Sequence, residues 1–338
     1  MENRKDFETF KENLTKDVKE KIYEKTGMNT TSEIRTVNKM NESYEALSIK
    51  PKDSNIGVNL NVTSLYSKYE NGDSYDRIVL ESAAFAVNAL DNSPELNVDV
   101  FTDYDSMKNT LTINVVSAER NAEILKTVPH KNIEDMAIVY RFVLDESDEG
   151  TQTTLVTNQM LDGYGITAEQ LHQDAIINAP KIRPIVIQGM GEVLAEMMGV
   201  EQAEMVYPVR PEDEKFFVAS VPDKVHGAGV LAYQDFMDKA AEKAGGDFYI
   251  LPSSIHEILI IPDNGRGGLK DLENMVKEVN ATSVDPCDKL TDSVYHYDSQ
   301  AKIFELGEKY MERQSATKVL SFNENRERKQ ENYLEGNM

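Results

Sequence analysis

The sequence is poor in cysteine and tryptophan. Its 338 residues include one cysteine, Cys287, and no tryptophan. A single cysteine excludes an internal disulfide, which is consistent with a reducing compartment. Cys287 lies between Pro286 and Asp288. Because nearby negative charge raises the pKa of a thiol, we do not expect a reactive thiolate at this position.

Long apolar runs are absent as well. No stretch approaches the roughly 20 apolar residues that span a bilayer. The first seven residues, Met-Glu-Asn-Arg-Lys-Asp-Phe, lack the apolar core of a signal peptide. We therefore expect a soluble, cytoplasmic protein that does not bind membranes.

Basic side chains are outnumbered by acidic ones. There are 36 Lys and Arg against 59 Asp and Glu, so the formal net charge is -23. Phosphate affinity comes mostly from Lys and Arg, so this balance opposes binding to nucleic acids and to anionic membranes. The excess of acidic residues is typical of a well-solvated surface and would also favour a basic binding partner. Carboxylates arranged in a stripe would instead indicate a protein that mimics nucleic acid. Carboxylates spread evenly over the surface would argue against such mimicry.

The most apolar part of the sequence predicts the centre of a sheet. Residues 247–262 contain two apolar runs separated by Pro252-Ser-Ser. Amphipathic runs precede them at residues 227–244 and follow them at 269–280. This pattern predicts a helix, a strand, a tight turn, a second strand, a loop and a second helix.

The order of a strand pair followed by a helix recurs at residues 137–178, 203–244 and 247–280. Short connections of this kind favour an α+β fold, with antiparallel β-sheet and helices packed on one face. We expect an N-terminal α+β subdomain (1–130) and a C-terminal α+β subdomain (131–298) that carries the central strand pair.

Apolar periodicity predicts further helices and strands along the chain. An inward stripe from Phe7 to Ile22 predicts a first helix that ends at Gly27, and Phe85 is expected on the inward face of a later helix. We expect residues 299–338 to form a C-terminal helix and then a disordered tail, because the composition turns polar from Asn323. Other helices are predicted at 62–70, 75–90, 118–125, 167–178 and 191–198, and strands at 34–38, 44–49, 97–101, 110–116, 137–144, 153–157, 203–208, 216–221, 294–297 and 302–306.

Several phrases resemble those of a known family, among them Gly227-Ala-Gly-Val-Leu-Ala-Tyr, Tyr249-Ile-Leu-Pro-Ser-Ser-Ile-His-Glu-Ile and Leu290-Thr-Asp-Ser-Val-Tyr-His-Tyr. Over residues 5–298 the chain is similar to soluble proteins of gut-dwelling Firmicutes that share a domain of unknown function. The resemblance implies a bacterial protein. It implies no activity, cofactor or catalytic residue.

The predicted turn between the central strands carries Ser253, Ser254, His256 and Glu257. Nucleophilic catalysis needs a hydroxyl whose proton passes to an imidazole that a carboxylate orients. Neighbours on an extended chain point to opposite faces, so His256 and Glu257 should diverge. Ser253 could still reach His256 across the turn. In the simpler interpretation the serines satisfy the backbone of the turn, and His256 is a hydrogen-bonded structural group.

His226-Gly-Ala-Gly resembles the oxyanion loop of lipases and esterases, but no Gly-x-Ser-x-Gly motif accompanies it. We interpret Gly227 and Gly229 as the start of a helix that packs closely against a strand. The Gly-rich turn at 263–268 lacks the Lys-Ser/Thr of a phosphate-binding loop. Arg266 would help that turn to hold an anion at a helix N-terminus, but a surface connection is the simpler interpretation.

The histidines are not spaced as metal ligands. No pair is separated by four residues, and there is no His-Glu-x-x-His. A site assembled from His226, His256 and Glu257 stays open, but we predict no metal and no cofactor. The five histidines are His130, His172, His226, His256 and His296.

Two functional hypotheses remain, and they require different geometry. The leading one is a non-enzymatic protein that acts through protein–protein binding, with its oligomeric state open. Such a protein needs an exposed apolar patch or groove. The alternative is a hydrolase that uses Ser253 or Ser254 with His256 and Glu257, together with His226. That enzyme needs these side chains to converge within hydrogen-bond reach in a cleft.

Overall fold

A computed structural model describes residues 5–52, 54, 57–92, 103–147, 150–265 and 268–317. Contacts between residues divide the chain into two compact units, Met1–Asp99 and Val100–Met338. The boundary that we predicted near residue 130 lies inside the second unit, because strands on both sides of it pair in one sheet. The strand predicted at 97–101, Arg266 and the tail from Asn323 fall outside the described residues.

The described part of the first unit combines three helices with a three-stranded antiparallel sheet whose strands lie side by side in chain order. Its hairpin turns at Asn41, which has a left-handed φ of 60°. Helices and strands both contribute to one buried apolar cluster, so this unit has its own core. Its elements are Phe7–Thr26 (α1), Thr30–Lys39 (β1), Glu42–Pro51 (β2), Val58–Asn61 (β3), Val62–Glu70 (α2) and Tyr75–Asp91 (α3).

The two long helices of this unit follow their apolar spacing. In α1 the predicted stripe is confirmed, since Phe10 and Ile22 are both fully buried and the helix ends at Gly27 with a φ of 71°. In α3 the prediction for Phe85 is wrong, because its side chain is 58% exposed. Ala83, Ala86 and neighbouring positions already complete a buried stripe at spacings of three and four, so Phe85 falls outside it.

The second unit contains two antiparallel sheets. In the four-stranded sheet, β4 pairs with one edge of β6, and β5 and β7 share the other edge. The six-stranded sheet has the order β13-β12-β10-β11-β9-β8. The strands are Leu111–Ser117 (β4), His130–Ile133 (β5), Met136–Ser147 (β6), Gly150–Leu155 (β7), Val186–Gly189 (β8), Phe217–Ser220 (β9), Phe248–Leu251 (β10), Ile258–Pro262 (β11), Tyr295–Asp298 (β12) and Ile303–Leu306 (β13).

Helices of the second unit connect and cover these sheets. A 3-10 helix at Gly227–Ala232 packs against β4 and β9. Residues 307–317 are also helical. No helix in the described ranges is long and apolar enough to cross a membrane. The α-helices are Tyr104–Met107 (α4), Ala122–Leu125 (α5), Asn158–Tyr164 (α6), Ala168–Ile182 (α7), Met190–Met198 (α8), Val200–Val206 (α9), Phe236–Ala244 (α10) and Leu269–Thr282 (α11).

The predicted central strand pair is confirmed, because β10 and β11 are the middle strands of the six-stranded sheet. They pair antiparallel, with Phe248 opposite Pro262. Ile250 faces the large core of the unit, whereas Tyr249 packs with Leu272 of α11. Both faces of β10 are therefore buried, which explains why its sequence is continuously apolar rather than alternating.

The α+β class with antiparallel sheets is confirmed, but two predicted elements differ from the structure. Residues 203–208, predicted as a strand, belong largely to helix α9. The apolar residues of this segment favoured a strand, but in the short helix Met205 and Val206 are 82% and 67% exposed. The helix predicted over 227–244 is divided into the 3-10 helix and α10, with a break at Tyr233.

Candidate functional site

The structure brings His226 and His256 together beside the bend between β10 and β11. Their ring centroids lie 5.5 Å apart. The backbone N–H of His226 donates a hydrogen bond to Nδ1 of His256, with an N–N distance of 3.2 Å. This contact is possible because His226 adopts a left-handed backbone conformation with φ at 53°. The hydrogen bond between these two histidines, whose convergence the hydrolase alternative requires, is thus made by one backbone group and one ring nitrogen.

The second ring nitrogen of His256 faces an acid. Its Nε2 lies 3.2 Å from Oδ1 of Asp288. Because Nδ1 accepts the bond from His226, the neutral ring carries its proton on Nε2, next to this carboxylate. Both nitrogens are therefore directed at groups of the protein. No described hydroxyl is hydrogen-bonded to a ring nitrogen of either histidine.

The serine hydroxyls near the bend bind backbone groups. Ser254 Oγ accepts from the N–H of His256 at 3.0 Å, and Ser220 Oγ donates to the carbonyl oxygen of His256 at 2.8 Å. The carbonyl of Ser253 accepts from the N–H of Leu290 at 3.1 Å. These hydroxyls and carbonyls hold the shape of the bend.

No hydrogen bond or ion pair joins the Glu257 carboxylate to either imidazole among the described residues. The Glu257 side chain is exposed and lines a small cleft of about 150 Å³, together with Ser220 and Lys224. The acid beside His256 is Asp288, which the sequence reasoning missed. Asp288 reaches this place because its carbonyl accepts from the N–H of Ile255 at 2.8 Å, next to a bridge between Ser254 and Lys289. No local signal could have found a pairing over this separation.

Burial controls the charge of His226. It lowers the pKa of His226 to about 4, and the positive charges of Arg141, His256 and Arg183 act in the same direction, against Asp288. Burial also lowers the pKa of Arg141, whose Nε donates to Thr153 Oγ1 at 2.7 Å and which has no carboxylate partner among the described residues. His226 is therefore uncharged at neutral pH and takes up a proton only in acid.

The Gly-Ala-Gly segment packs as closely as the sequence suggested. A Cβ atom added at Gly227 would overlap Ser220 Oγ and the carbonyl oxygen of His256. One added at Gly229 would overlap the carbonyl oxygen of Ile113 in β4. The two glycines let the 3-10 helix approach two strands at once. Within the described ranges, no group of three or more His, Cys, Asp or Glu could hold a metal.

A different part of the second unit exposes several large apolar side chains. Large apolar side chains on and just after α8 and α9 face solvent, and the exposed fraction reaches 82% at Met205, 74% at Met197 and 67% at Val206. Single exposed apolar residues are normal, and several so close together in the sequence set this part of the chain apart. We call it the α8–α9 surface; its members are Met197, Met198, Val200, Met205, Val206 and Val209.

A groove of about 380 Å³ lies beside α8 and α9 and shares Val200 and Val209 with the α8–α9 surface. Apolar walls include Ala203 and Phe217, and the charged lining consists of Glu192, Glu204 and Glu214 against one lysine, Lys243. Sequence reasoning missed this groove because it assigned part of its wall to a strand.

Glu214 is fixed in the wall of this groove. It accepts from the hydroxyl of Tyr207 at 2.7 Å and from the backbone N–H groups of Phe216 at 2.9 Å and Gly191 at 3.1 Å. Burial would raise the pKa of Glu214, but these donors outweigh it and hold the pKa below its usual value. Glu214 is therefore a fixed negative charge that joins α8 to the loop before β9.

The fold defines an α+β protein with antiparallel sheets, and its helices α8 and α9 expose three methionine side chains. The chain belongs to the family of unknown function DUF5688, whose model matches residues 7–299. Comparisons with curated proteins and with solved structures give no match.

Proposed function

We propose that this protein acts by binding another protein through the α8–α9 surface. The observation that carries the proposal is the concentration of exposed Met and Val side chains within residues 197–209. Burying one such side chain contributes about 1.5–3 kcal/mol. Several buried together are enough for a specific contact after the cost of ordering the partner is met. Methionine suits such a contact because its side chain is flexible and polarisable.

The net charge of -23 limits the kinds of molecule that we expect the protein to bind. Nucleic acids and anionic membranes would be repelled by this excess of acid. A protein partner with basic groups would be attracted. The charge, the single cysteine and the family resemblance support a cytoplasmic location in gut Firmicutes as a further part of the proposal.

The test compares two surfaces that carry the same charge change. Met197→Glu with Met205→Glu places two carboxylates on the α8–α9 surface, and Leu80→Glu with Phe85→Glu places two on α3, where the native side chains are 57% and 58% exposed. Tagged proteins would be used to capture partners from a lysate of the native host. We expect the wild type and the α3 variant to capture a partner protein from the lysate. The α8–α9 variant should fail to capture that partner. Identical capture by all three would contradict the proposal.

The hydrolase alternative is supported by the contact between His256 and Asp288. Its difficulty is that the hydroxyls of Ser220 and Ser254 bind backbone groups rather than an imidazole. The hydrolase alternative predicts that the purified protein hydrolyses esters and that the substitution His256→Ala abolishes this hydrolysis. The binding proposal predicts no hydrolysis above that of the His256→Ala variant.

A further inference from the structure

We infer that Arg141 and His226 form a binding site for a small carboxylate ligand. Arg141 lies in β6, and His226 lies just before the 3-10 helix. Both side chains are half-buried, so a small ligand can reach them from solvent. This site shares no residue with the α8–α9 surface, and the inference therefore goes beyond the proposed protein binding.

The first support is the guanidinium of Arg141, whose charge no described acid balances. Its Nε donates to Oγ1 of Thr153 at 2.7 Å, and one Nη donates to the carbonyl oxygen of Thr153 at 3.5 Å. Burial lowers the pKa of Arg141, and no described carboxylate acts in the opposite direction. A buried cation without an anion costs free energy. A carboxylate would remove that cost, because a guanidinium can donate two parallel hydrogen bonds to it.

The second support is the position of His226 next to this guanidinium. The 3-10 helix that follows His226 packs so closely on β4 that a Cβ added at Gly229 would overlap the strand, and β4 is paired with β6. Burial is the main cause that lowers the pKa of His226. The charge of Arg141 comes next and acts more strongly than that of His256, whose ring centroid lies 5.5 Å from that of His226. The ring of His226 forms no hydrogen bond with a described residue, so its N–H is available to an anion.

The third support is a buried hydroxyl on the same face of the sheet. Thr112 of β4 lies directly opposite Arg141 of β6, so the two side chains are on one face. The other face carries Ile113 and Tyr140, which belong to the large core. Thr112 is 1% exposed, and its Oγ1 has no hydrogen-bond partner in the described part of the chain. Such hydroxyls are uncommon in folded proteins, and a ligand oxygen would satisfy this one.

The charges around the site favour a ligand with one negative charge. Arg183, the other arginine that acts on His226, is already paired with Asp223, and His256 faces Asp288. His226 is itself uncharged at neutral pH, because its pKa is about 4. The site therefore offers one unbalanced positive charge, which a carboxylate matches. A phosphate dianion would leave an excess of negative charge in a protein whose net charge is already -23.

The experiment follows the histidine ring C–H signals of the full-length protein by NMR at neutral pH. Sodium acetate replaces sodium chloride at constant ionic strength, and a parallel titration uses inorganic phosphate. The chain has five histidines, and His226→Asn identifies the signal of His226. We expect acetate to shift that signal in a saturable manner, with half-saturation at about 1–10 mM, which four heavy atoms can supply. The signals of His130 and His296 should not follow this titration.

Variants locate the acetate on the protein. Arg141→Gln should weaken acetate binding at least about tenfold, because the guanidinium is lost. Thr112→Val keeps the shape of the side chain, removes the hydroxyl and should weaken binding about threefold to tenfold. The matched control is Arg77→Gln at an exposed ion pair of the first unit, which should change the affinity less than about twofold. Without acetate, Thr112→Val should melt no lower than the wild type, because a hydroxyl without a partner adds no stability.

Three results would overturn the inference. The first is the absence of a saturable shift of the His226 signal in acetate. The second is an unchanged affinity for acetate in both Arg141→Gln and Thr112→Val. The third is tighter binding of inorganic phosphate than of acetate. None of these results bears on the capture of a partner protein from the lysate, since the variants used there lie on the α8–α9 surface and on α3.

Discussion

At the scale of single residues, Gly227 and Gly229 hold the 3-10 helix against two strands. Neither glycine has a positive φ, so backbone freedom is not their role. Their role is the absent side chain, because an added Cβ would meet Ser220, His256 or Ile113. Protein interiors are packed too tightly to absorb such an overlap without a shift of the backbone.

We expect Gly227→Ala to lower the free energy of unfolding by about 1–3 kcal/mol or more, because overpacking forces the bend away from β9. Gly163→Ala is the matched control, since an added Cβ there meets nothing within 4 Å and the residue lies in α6. The control should change stability by less than about 1 kcal/mol, in the favourable direction. Urea unfolding of the three proteins measures both effects, and equal midpoints would contradict the packing described for Gly227.

His226 should make the protein less stable in mild acid. The pKa of His226 is lowered from 6.5 to about 4 in the folded protein. Between these values the unfolded chain binds more protons than the native one, so the free energy of unfolding falls as the pH drops below about 6.5. Partial exposure of the ring limits the loss to about 1 kcal/mol near pH 5.

The variant His226→Asn tests this, because Asn tolerates the left-handed backbone that His226 adopts. Urea unfolding of wild type and variant would be compared near pH 7 and near pH 5. We expect the wild type to lose more stability over this interval than the variant, which shares every other titrating group. An equal loss in both proteins would show that His226 titrates normally.

At the scale of elements, the six-stranded sheet depends on the strand pair at its centre. The side chain of Ile250 in β10 is fully buried. Ile250→Ala should lower the free energy of unfolding by about 2–5 kcal/mol, because it removes buried methyl groups and leaves a cavity. Ile303→Ala, in the outer strand β13 where the side chain is 36% exposed, should cost less than about 1 kcal/mol. Denaturant unfolding measures which of the two substitutions costs more stability. A larger loss for Ile303→Ala than for Ile250→Ala would contradict the central role of β10.

Local patterns predicted the elements whose burial follows from their own sequence. The continuous apolar runs of β10 and β11 indicated the centre of a sheet, and the spacing in α1 indicated its stripe. Helix α9 was missed because its apolar residues face solvent. The pattern of apolar residues in a sequence does not show whether such a residue faces the core or the solvent. The contact of His256 with Asp288 was missed because it depends on a pairing between segments that are distant in the chain.

At the scale of the whole molecule, negative charge and apolar exposure have to be considered together. A net charge of -23 would oppose association between copies of the chain, including association through exposed apolar side chains. The same charge would attract a basic partner to the α8–α9 surface and set the rate of encounter more than the final affinity. In the proposed function, repulsion between copies would therefore act together with attraction of a basic partner.

The two compact units should unfold in separate transitions. Each unit has a buried cluster built from its own residues, with Ile49 in the first and Ile250 in the second. We expect calorimetry of the full chain to show two heat-absorption peaks. Ile49→Ala should lower the temperature of one peak and Ile250→Ala that of the other, since each substitution removes about 2–5 kcal/mol from one core. A single peak that both substitutions shift equally would show instead that the units unfold as one cooperative system.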